Sequence, residues 1–501
     1  MEGCLQQLQT LNELLNAFAI STGLKVNYSK SLMVPINLTP EKLDQLATAF
    51  DCAKGSFPFT YLGLPLGLTK PTVEEFMPLV THCERRLIST STFLTQAGRL
   101  QLTNSVFTSL PTFYLCTFDM HLTIVDLIDK LRKHCLWRGA DVNATTRPKA
   151  AWTMVSRPKD EGGLGVLNLK SQNKALLLKN LDKFFNKADI PWVHLVWEKH
   201  YANGRLPSHI KKGSFWWKNN LKLLDEFKGM ALVNLESGNT CLLWDDLWNG
   251  SIKKPVYPHL FAFAKNPRVL LPKAKSTINL TNLFHLPLSV EAFDELHNLE
   301  QELLTINLTA EPDTWSYIWG NNNFSSSKAY RHMMGHTTVH PSYKWIWKSS
   351  CQCKHKVFFW LVLKDRLSMR NILRRKTMHL PDYNCELCLP ATEETRNHLF
   401  LSCPFAEECR GLLQLHVNPD NDILDNIEAL KTQLQYPFFM EIIILMTWSI
   451  WTCRNDLIFR GVQHTLDRCK AVLKKEFALL LYRAKQKYFP HISEWIDTLW
   501  Q

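Results

Sequence analysis

The sequence predicts a mainly α-helical protein with small β elements, built from several segments. Leucines within residues 5–18 recur every three or four positions, which is the spacing of one helix face. The same amphipathic period covers 73–88, 122–137 and 171–185, and residues 423–488 have a helical pattern throughout. Patterns of this length favour helices over strands, so we expect helices to dominate both ends of the chain.

Strands are expected to be few and short. Residues 24–28 alternate apolar and polar side chains, and residues 57–67 form a strand-like run broken by Gly and Pro turns. Two prolines and three glycines in 147–165 mark the clearest early boundary, and the region 190–340 is mixed and rich in turn residues. An apolar stretch flanked by cations then predicts one helix over 354–376 with a single buried face.

Composition places the chain among globular proteins. Of its 501 residues, 46% are hydrophobic and 21% charged, and the formal net charge is +12. Seventeen tryptophans, many in close pairs, indicate core or interface packing unless they lie exposed beside cations. The N-terminus lacks the pattern of a signal peptide, and the most apolar stretch, 442–451, is shorter than a membrane span. We expect an intracellular protein, nuclear or cytoplasmic, that is not secreted and has no membrane partner.

Four metal-ligand side chains lie within one short segment: Cys385, Cys388, His398 and Cys403. Two, nine and four residues separate them. Three thiolates and one imidazole complete a tetrahedral Zn²⁺ shell, and a complete shell leaves no open position for a catalytic water. The sequence therefore predicts a structural zinc site, which would order the loop 381–404 by linking metal affinity to folding.

Other arrangements of these ligands stay open. The fourteen cysteines of an intracellular chain are thiols or metal ligands more often than disulfides. The four residues could therefore be unliganded thiols and a surface histidine. Cys409 and His379 could each replace one ligand, and the Cys351-x-Cys353 pair could hold a metal of its own.

A basic segment directly precedes the first of these cysteines. Residues 344–379 contain ten Lys or Arg and one acid, Asp365. One interpretation is a solvated helix face whose long side chains cover neighbouring apolar surface. The other is a face that contacts the phosphates of RNA or DNA, with an affinity that falls as salt rises. Its candidate residues are Arg366, Arg370, Arg374, Arg375 and Lys376.

Several motifs together resemble a known family. Near the cysteines they are Tyr343-Lys-Trp345-Ile-Trp347, Lys356-Val-Phe358-Phe-Trp360 and Cys385-x2-Cys388-x9-His398-Leu-Phe400-x2-Cys403. Further away they are Gly23-Leu-Lys-Val-Asn27, Lys30-Ser31, Tyr61-Leu-Gly63, Leu243-Trp244-Asp-Asp-Leu-Trp248, Phe324-Ser-Ser-Ser-Lys-Ala-Tyr330 and Trp448-x2-Trp451-x2-Arg454-Asn455. This set is similar to plant non-LTR (LINE-type) retrotransposon reverse transcriptases, in the C-terminal portion that includes their zinc-binding domain.

The resemblance implies four parts. Residues 1–140 would be a reverse transcriptase remnant with a post-palm and thumb-like helical region, and 141–335 a mixed connecting region. Residues 336–420 would be the reverse transcriptase zinc-binding domain, and 421–501 a C-terminal helical segment. It also implies a truncated protein, because the aromatic-x-Asp-Asp hairpin of such a polymerase would precede Met1.

On this basis we expect no enzymatic activity and no catalytic residues. The Trp244-Asp245-Asp246 triplet follows the polymerase-like motifs instead of preceding them, so it resembles the connecting region and not a Mg²⁺-binding hairpin. The segment after Cys403 is short for a ribonuclease H domain. Polymerase, endonuclease and ribonuclease H activities are therefore all expected to be absent.

The sequence thus predicts a retrotransposon-derived protein with a structural zinc module and weak, non-specific electrostatic binding of RNA or DNA. Two alternatives of other classes stay open. The chain could be a protein-interaction scaffold that packs on a reverse transcriptase core, or part of an RNA-directed DNA polymerase completed by a missing N-terminal half.

Overall fold

A computed structural model describes residues 4–90, 94–139, 147–202, 206–207, 213–320, 322–389 and 391–498. It is 58% helical with 6% strand, which confirms a mainly α fold with small β elements. The strands of the described residues pair two by two. β1 and β2 are parallel, whereas β3–β4, β5–β8 and β6–β7 are antiparallel.

The elements follow one another in three stretches. The first contains α1 (Leu5–Thr22), β1 (Leu32–Met33), α2 (Pro40–Phe50), β2 (Ala53–Lys54), β3 (Phe59–Tyr61), β4 (Leu64–Leu66), α3 (Val73–Thr90), α4 (Gln96–Leu102), α5 (Thr112–Thr117) and α6 (Leu122–Trp137). The second contains α7 (Trp152–Val155), α8 (Leu169–Phe185), α9 (Pro191–Tyr201), α10 (Phe215–Leu221), α11 (Leu224–Lys228), β5 (Ala231–Asn234), β6 (Leu247–Trp248), β7 (Ser251–Ile252), α12 (Lys253–Val256), α13 (Pro258–Ala262), α14 (Leu271–Ser276), α15 (Val290–Thr305), β8 (Thr314–Tyr317) and α16 (Ser326–Met334). The third contains α17 (Ser342–Lys348), α18 (Cys353–Leu363), α19 (Arg370–Arg375), α20 (Pro404–Gly411), α21 (Ile423–Leu434), α22 (Phe439–Arg460), α23 (Leu466–Leu481) and α24 (Phe489–Thr498).

Short turns of other helix types connect these elements. Among the described residues, four are 3-10 turns (Tyr28–Lys30, Lys159–Glu161, Leu280–Leu283 and Gln486–Tyr488), and two are π-helical (Thr103–Phe107 and His398–Ser402). The helices expected over 73–88, 122–137 and 171–185 are confirmed by α3, α6 and α8. Their apolar periodicity was long enough to determine the element type.

The strand expected over 24–28 is wrong. Leu24 is exposed, and a 3-10 turn begins at Tyr28. The Asn27 side chain accepts a hydrogen bond from the backbone N–H of Lys30 and so caps that turn. Such local side-chain bonds compete with strand pairing, and the strand forms later, at Leu32–Met33.

The single helix expected over 354–376 is also wrong, since α18 ends at Leu363 and α19 starts at Arg370. Asp365 has a left-handed backbone, with φ at 50°, which breaks the helix between them. In addition, α18 is buried on every side from Val357 to its end instead of on one face. An all-round apolar helix of this kind belongs in the centre of a core.

Three hydrophobic cores organise the described residues. The N-terminal core packs α3, α5 and α6 around Phe76, and the middle core surrounds the tryptophans of the connecting region. Trp217, Trp244 and Trp248 are each only 1% exposed, which confirms that these tryptophans pack in a core. The third and largest, the C-terminal core, surrounds Trp360.

The C-terminal core takes side chains from within 97–166 as well as from 343–495. It therefore draws on all four parts that the resemblance implies, and the limit placed between 140 and 141 lies outside the described residues. The Trp360 indole Nε1 donates a hydrogen bond of 2.9 Å to the carbonyl of Gly162, which joins α18 to the turn after α7. The cysteine-rich segment thus packs into a larger body.

One Asp of the Trp244-Asp245-Asp246 triplet has a structural role. Asp246 is buried, its Oδ1 lies 2.6 Å from the Lys228 ammonium, and its Oδ2 accepts the backbone N–H of Leu242 at 2.6 Å. Buried charges are retained where they are paired and hydrogen-bonded in this way. Contacts with Lys228 and Leu242 therefore explain why Asp246 is buried.

Helix α22 contains the most apolar stretch of the chain. Among the described residues it alone is long and apolar enough, by length and composition, to cross a membrane, and 56% of its most apolar window is buried inside the fold. Ile442, Ile444 and Leu445 are completely buried in the C-terminal core. Packing of this kind is typical of the central helix of a globular core.

Candidate metal centre and basic face

Three different local structures position the four predicted zinc ligands. Cys385 and Cys388 lie in a tight turn, which begins where the Cys385 N–H donates to the Thr392 carbonyl at 2.9 Å. His398 opens the π-helical turn His398–Ser402, and Cys403 is the residue before α20. Two turns of the chain therefore approach each other with their ligand atoms inward.

The four ligand atoms lie within 4.8 Å of one another. The Cys385 and Cys403 sulfurs are 4.0 Å apart, and the Cys388 sulfur is 3.3 Å from Nε2 of His398. In a tetrahedral thiolate site with Zn–S bonds of about 2.3 Å, neighbouring sulfurs are about 3.8 Å apart. The donor set and its spacing fit a Zn²⁺ ion, and all the ligands except Cys388 are buried.

The two buried thiols of this group have opposite acidities. A hydrogen bond from Cys385, with the backbone N–H groups of Ala406 and Phe405 at the start of α20, lowers the pKa of Cys403 to about 5. The same hydrogen bond and burial raise the pKa of Cys385. The pKa of Cys388 is raised as well, so a metal that binds here must displace the protons of Cys385 and Cys388.

The substitute ligands suggested by sequence lie outside the group. Cys409 is buried beside Cys469, within hydrogen-bonding reach of its thiol, and His379 is exposed. Cys351 is buried away from the four, and burial together with the charge of Glu441 raises the pKa of its thiol.

A buried ion pair connects the metal centre to the C-terminal helices. The Glu394 side chain is completely buried, and the Arg454 guanidinium, 4% exposed, donates to both of its oxygens at 2.6 and 2.9 Å. The same carboxylate accepts the backbone N–H of Arg370 at 2.9 Å and so fixes the start of α19. The Glu394 backbone bonds to Tyr383 and Asn371. One residue thus holds the zinc loop, α19 and α22 together.

A second buried arginine supports the π-helical turn. The Arg410 guanidinium donates to the carbonyls of Phe400 and Leu401 at 2.6 and 2.7 Å. These carbonyls follow His398, and Arg410 belongs to α20, which begins directly after Cys403. The bonds therefore fix two ligands relative to each other.

The five predicted nucleic-acid-binding residues differ in their surroundings. Arg374 and Arg375 have side chains 60% and 65% exposed, and Arg366 is exposed as well. Lys376 is half-buried. Arg370 is only 12% exposed, where it donates to the Asn384 carbonyl and pairs with the Glu386 and Asp382 carboxylates.

Comparison with known proteins places the metal centre in a family context. Residues 324–409 match the zinc-binding domain of reverse transcriptases. The match begins just before α16 and ends within α20, so it includes all four ligands. The family and the geometry together support a structural zinc ion at this cluster.

A longer similarity extends beyond this domain. The chain is 26% identical over 425 residues to an Arabidopsis thaliana protein named "Putative ribonuclease H protein". The similarity covers 78% of this chain and spans 65% of the length of that relative. With the zinc-binding match, it supports a retrotransposon-related protein.

This relative overturns one prediction. The sequence led us to expect no enzyme, with polymerase, endonuclease and ribonuclease H activities all absent, but the relative's name includes ribonuclease H. The expectation used the length of the segment after Cys403 and the order of acids. Neither feature can reveal a sequence similarity that extends over 425 residues.

Sequence reasoning found the ligands but missed what holds them. Arg454 belongs to one of the motifs that carry the resemblance, so the sequence singles it out, but it does not indicate which acid pairs with it. Glu394 lies in a polar stretch beside Glu393, and no local pattern separates the fully buried acid from its half-buried neighbour. Only the tertiary contact distinguishes them.

Zinc content tests the metal centre. We expect the purified protein to contain about one zinc ion per chain, because four ligands complete the shell. Cys403→Ser should lose most of it, whereas Cys116→Ser, which changes an exposed cysteine outside the group, should keep it. Metal analysis by mass spectrometry measures both. Zinc-free wild-type protein, or equal zinc content in the two variants, would contradict the site.

Unfolding experiments test the buried ion pair. Glu394→Ala leaves the Arg454 charge buried and unpaired, so we expect it to destabilise the zinc-loaded protein by about 3–5 kcal/mol. The control is Glu393→Ala, one residue away, which removes a half-buried partner of the exposed Arg374 and should change stability by less than about 1 kcal/mol. Denaturant titration followed by tryptophan fluorescence compares them. Equal destabilisation by the two changes would show that the pair has no special role.

Proposed function

We propose that this retrotransposon-related protein binds RNA or DNA, weakly and without sequence preference, through exposed cations beside its zinc centre. The supporting observation is the position of Arg374 and Arg375. Both project from α19 with mostly exposed side chains, and the start of α19 is fixed by the carboxylate of Glu394. Cations on a fixed backbone lose less entropy when they bind a phosphate than cations on a mobile loop.

Carboxylates already near these arginines are easily exchanged for phosphates. Arg374 lies 3.2 Å from Glu393, and Arg375 lies 3.5 Å from Asp365. In each pair the arginine side chain is mostly exposed and the carboxylate is about one-third exposed, with exposed fractions of 36% for Glu393 and 32% for Asp365. Ion pairs with this much access to water contribute at most about 1 kcal/mol. A nucleic-acid backbone brings several phosphates at once and releases its counterions, which makes the exchange favourable at low salt.

Arg366 and Lys376 belong to the same surface in this proposal, whereas Arg370 belongs to its scaffold. The Arg370 guanidinium bonds to the turn that bears Cys385, through the Asn384 carbonyl and the Glu386 carboxylate. In this proposal zinc does not contact the nucleic acid. It fixes the turn that bears Cys385, and this turn positions Arg370 through the contacts just described.

Salt dependence tests the proposal. We expect binding of a fluorescent single-stranded RNA to weaken steeply with salt, with a log–log slope that falls by roughly 0.7 for each phosphate contact removed. The Arg374→Ala, Arg375→Ala and Lys376→Ala triple variant should lower that slope by about 2. Fluorescence anisotropy across a salt series measures it. A flat salt response in the wild type, or an unchanged slope in the triple variant, would refute the proposal.

The name of the Arabidopsis relative indicates a second substrate to include in this assay. Ribonuclease H acts on RNA–DNA hybrids, so a labelled hybrid belongs beside the single strand, in the presence of Mg²⁺. Binding is read by anisotropy and cleavage by gel electrophoresis of the same samples. The two readouts separate binding from hydrolysis.

A second candidate function is docking on a reverse transcriptase core. The observation that favours it is the surface of the first stretch, where α1 buries only Leu8 and large apolar side chains are exposed. These side chains are Leu5, Leu14, Phe18, Ile20, Leu24, Leu32, Ile36, Tyr61, Leu62 and Leu68. Where exposed apolar side chains of this kind are contiguous, they mark protein–protein contact sites.

Leu14 and Phe18 allow a direct test of docking. They are one helical turn apart on α1, and their side chains are 63% and 53% exposed. Changing both to serine should weaken binding to a purified reverse transcriptase core by at least about tenfold, since two large apolar contacts are lost. Ile278→Ser is the control, because Ile278 is fully exposed elsewhere. Surface plasmon resonance measures the affinities, and equal affinities of the two variants would exclude α1 as the docking face.

A further inference from the structure

We infer that a cleft between the turn Lys159–Glu161 and the segment 331–344 binds one unpaired nucleotide of the nucleic acid and prefers guanine as its base. The inference rests on the proposed function, in which contacts with backbone phosphates carry no sequence information, and adds to it a preference at one position. The cleft has a volume of about 650 Å³, which is within the range of small-ligand pockets. Among the described residues that line it, none is a zinc ligand.

Direct contacts hold the two walls of the cleft together. Gly162 follows the turn, and a Cβ at this position would lie 3.7 Å from Cδ2 of Tyr343. The Lys159 ammonium lies 4.9 Å from the centre of the Trp347 ring. The carbonyl of Gly162 also accepts the hydrogen bond of 2.9 Å from Trp360. The turn is therefore fixed against α17 and against the C-terminal core.

Charged side chains of both signs line the cleft. Arg331 in the last turn of α16 and Lys344 in the first turn of α17 belong to one wall, and Asp160 and Glu161 belong to the other. Within the part of the chain that the structure describes, none of these four side chains forms an ion pair. A ligand that carries both a negative group and hydrogen-bond donors therefore matches this cleft.

A nucleotide combines these two properties. Its phosphate can accept charge-assisted hydrogen bonds from Arg331 and Lys344. An unpaired base is recognised along its Watson–Crick edge, where an ionised carboxylate can only accept hydrogen bonds. Guanine presents two adjacent N–H donors on this edge, whereas uracil presents one N–H between two carbonyl oxygens, which repel a carboxylate. Asp160 and Glu161 therefore favour guanine over uracil.

Histidine rings supply flat surfaces on which the base can stack. His332, His336 and His340 all line the cleft. His340 is half-buried, with its Nδ1 2.8 Å from the Ser342 hydroxyl oxygen and its Nε2 3.7 Å from a carboxylate oxygen of Glu428. Stacking on aromatic side chains is a usual part of the recognition of unpaired bases. The cleft thus contains groups for the phosphate, the base edge and the base face.

The cleft adjoins the exposed arginines of α19 through Lys364. The Lys364 ammonium lies 3.3 Å from the position that a Cβ on Gly162 would take, and Cγ1 of Val339, which lines the cleft, lies 3.6 Å from the same position. The next residue, Asp365, lies 3.5 Å from Arg375. One strand can therefore contact α19 and place a neighbouring nucleotide in the cleft. This continuity favours a nucleic-acid strand over a free nucleotide.

The test compares two short fluorescent RNA strands, oligouridylate and the same strand with one central uridine replaced by guanosine. With the zinc-loaded full chain and without Mg²⁺, the guanosine should strengthen binding at least about fivefold, the lower end of what a bidentate base contact gives. Fluorescence anisotropy measures both affinities. Asp160→Asn with Glu161→Gln should abolish the preference, because it removes both carboxylate charges.

The matched control is Asp420→Asn with Glu311→Gln, which changes two exposed acids outside the cleft and should keep the preference. Circular dichroism confirms that each variant is folded. Equal affinities of the wild type for the two strands would overturn the inference. A preference that persists when both cleft acids are changed would overturn it as well.

Two further measurements separate the phosphate contact from recognition of the base. Arg331→Gln should weaken both strands by a similar factor and lower the log–log salt slope by roughly 0.7, whereas Lys42→Gln, at an exposed cation of α2, leaves the slope unchanged. Pairing each strand with its complement occupies the Watson–Crick edges, so the preference for guanosine should disappear. Equal slopes of the two variants, or a preference that persists in the duplexes, would contradict the inference.

Guanosine monophosphate tests for a free nucleotide. If it binds the wild type, and binds the variant of both cleft acids more weakly, while the two strands bind equally, the cleft holds a free nucleotide and the inference fails. A wild type that binds neither strand at low salt refutes the proposed function as well. Salt-dependent binding that requires Arg374 and Arg375 but does not distinguish the two strands refutes the nucleotide cleft alone.

Discussion

The buried ion pair between Glu394 and Arg454 is the contact on which the metal centre and the basic face both depend. It joins three elements that share no sequence continuity: the turn after the zinc thiols, the start of α19 and the second half of α22. A carboxylate without exposure is costly unless it is paired and hydrogen-bonded, and here two side-chain donors and one backbone N–H bond to its oxygens. The pair therefore determines the relative position of ligands and cations.

Zinc contributes to the same body through a different kind of bond. Cys385 and Cys403 belong to the C-terminal core together with side chains of α18, α22 and α23, so the metal and the apolar packing act on one unit. A polar turn with little apolar content buries too little apolar surface to keep one conformation. Metal ligation supplies the stabilisation that apolar burial does not. Loss of the ion should therefore destabilise the helices as well as the turn.

The sequence predicted the elements with long apolar periods and the site with a full set of ligands. Helices α3, α6 and α8 follow from periodicity, and the four ligands follow from residue type and spacing. Where one side chain decided the outcome, prediction failed: Asn27 capped a turn in place of a strand, and Asp365 broke a helix. The role of Glu394 was also beyond sequence reasoning, because its complete burial, next to the half-buried Glu393, depends on a contact sixty residues away.

The C-terminal core has a consequence for synthesis on the ribosome. Val155 and Leu164 pack in it against side chains from 343–495, so they leave the ribosome long before their partners. At about 5–20 residues per second, a separation of two hundred residues corresponds to roughly 10–40 s of exposed apolar surface. During that interval the nascent chain is a substrate for chaperones. Trp360 forms its hydrogen bond to Gly162 only after α18 emerges from the ribosome.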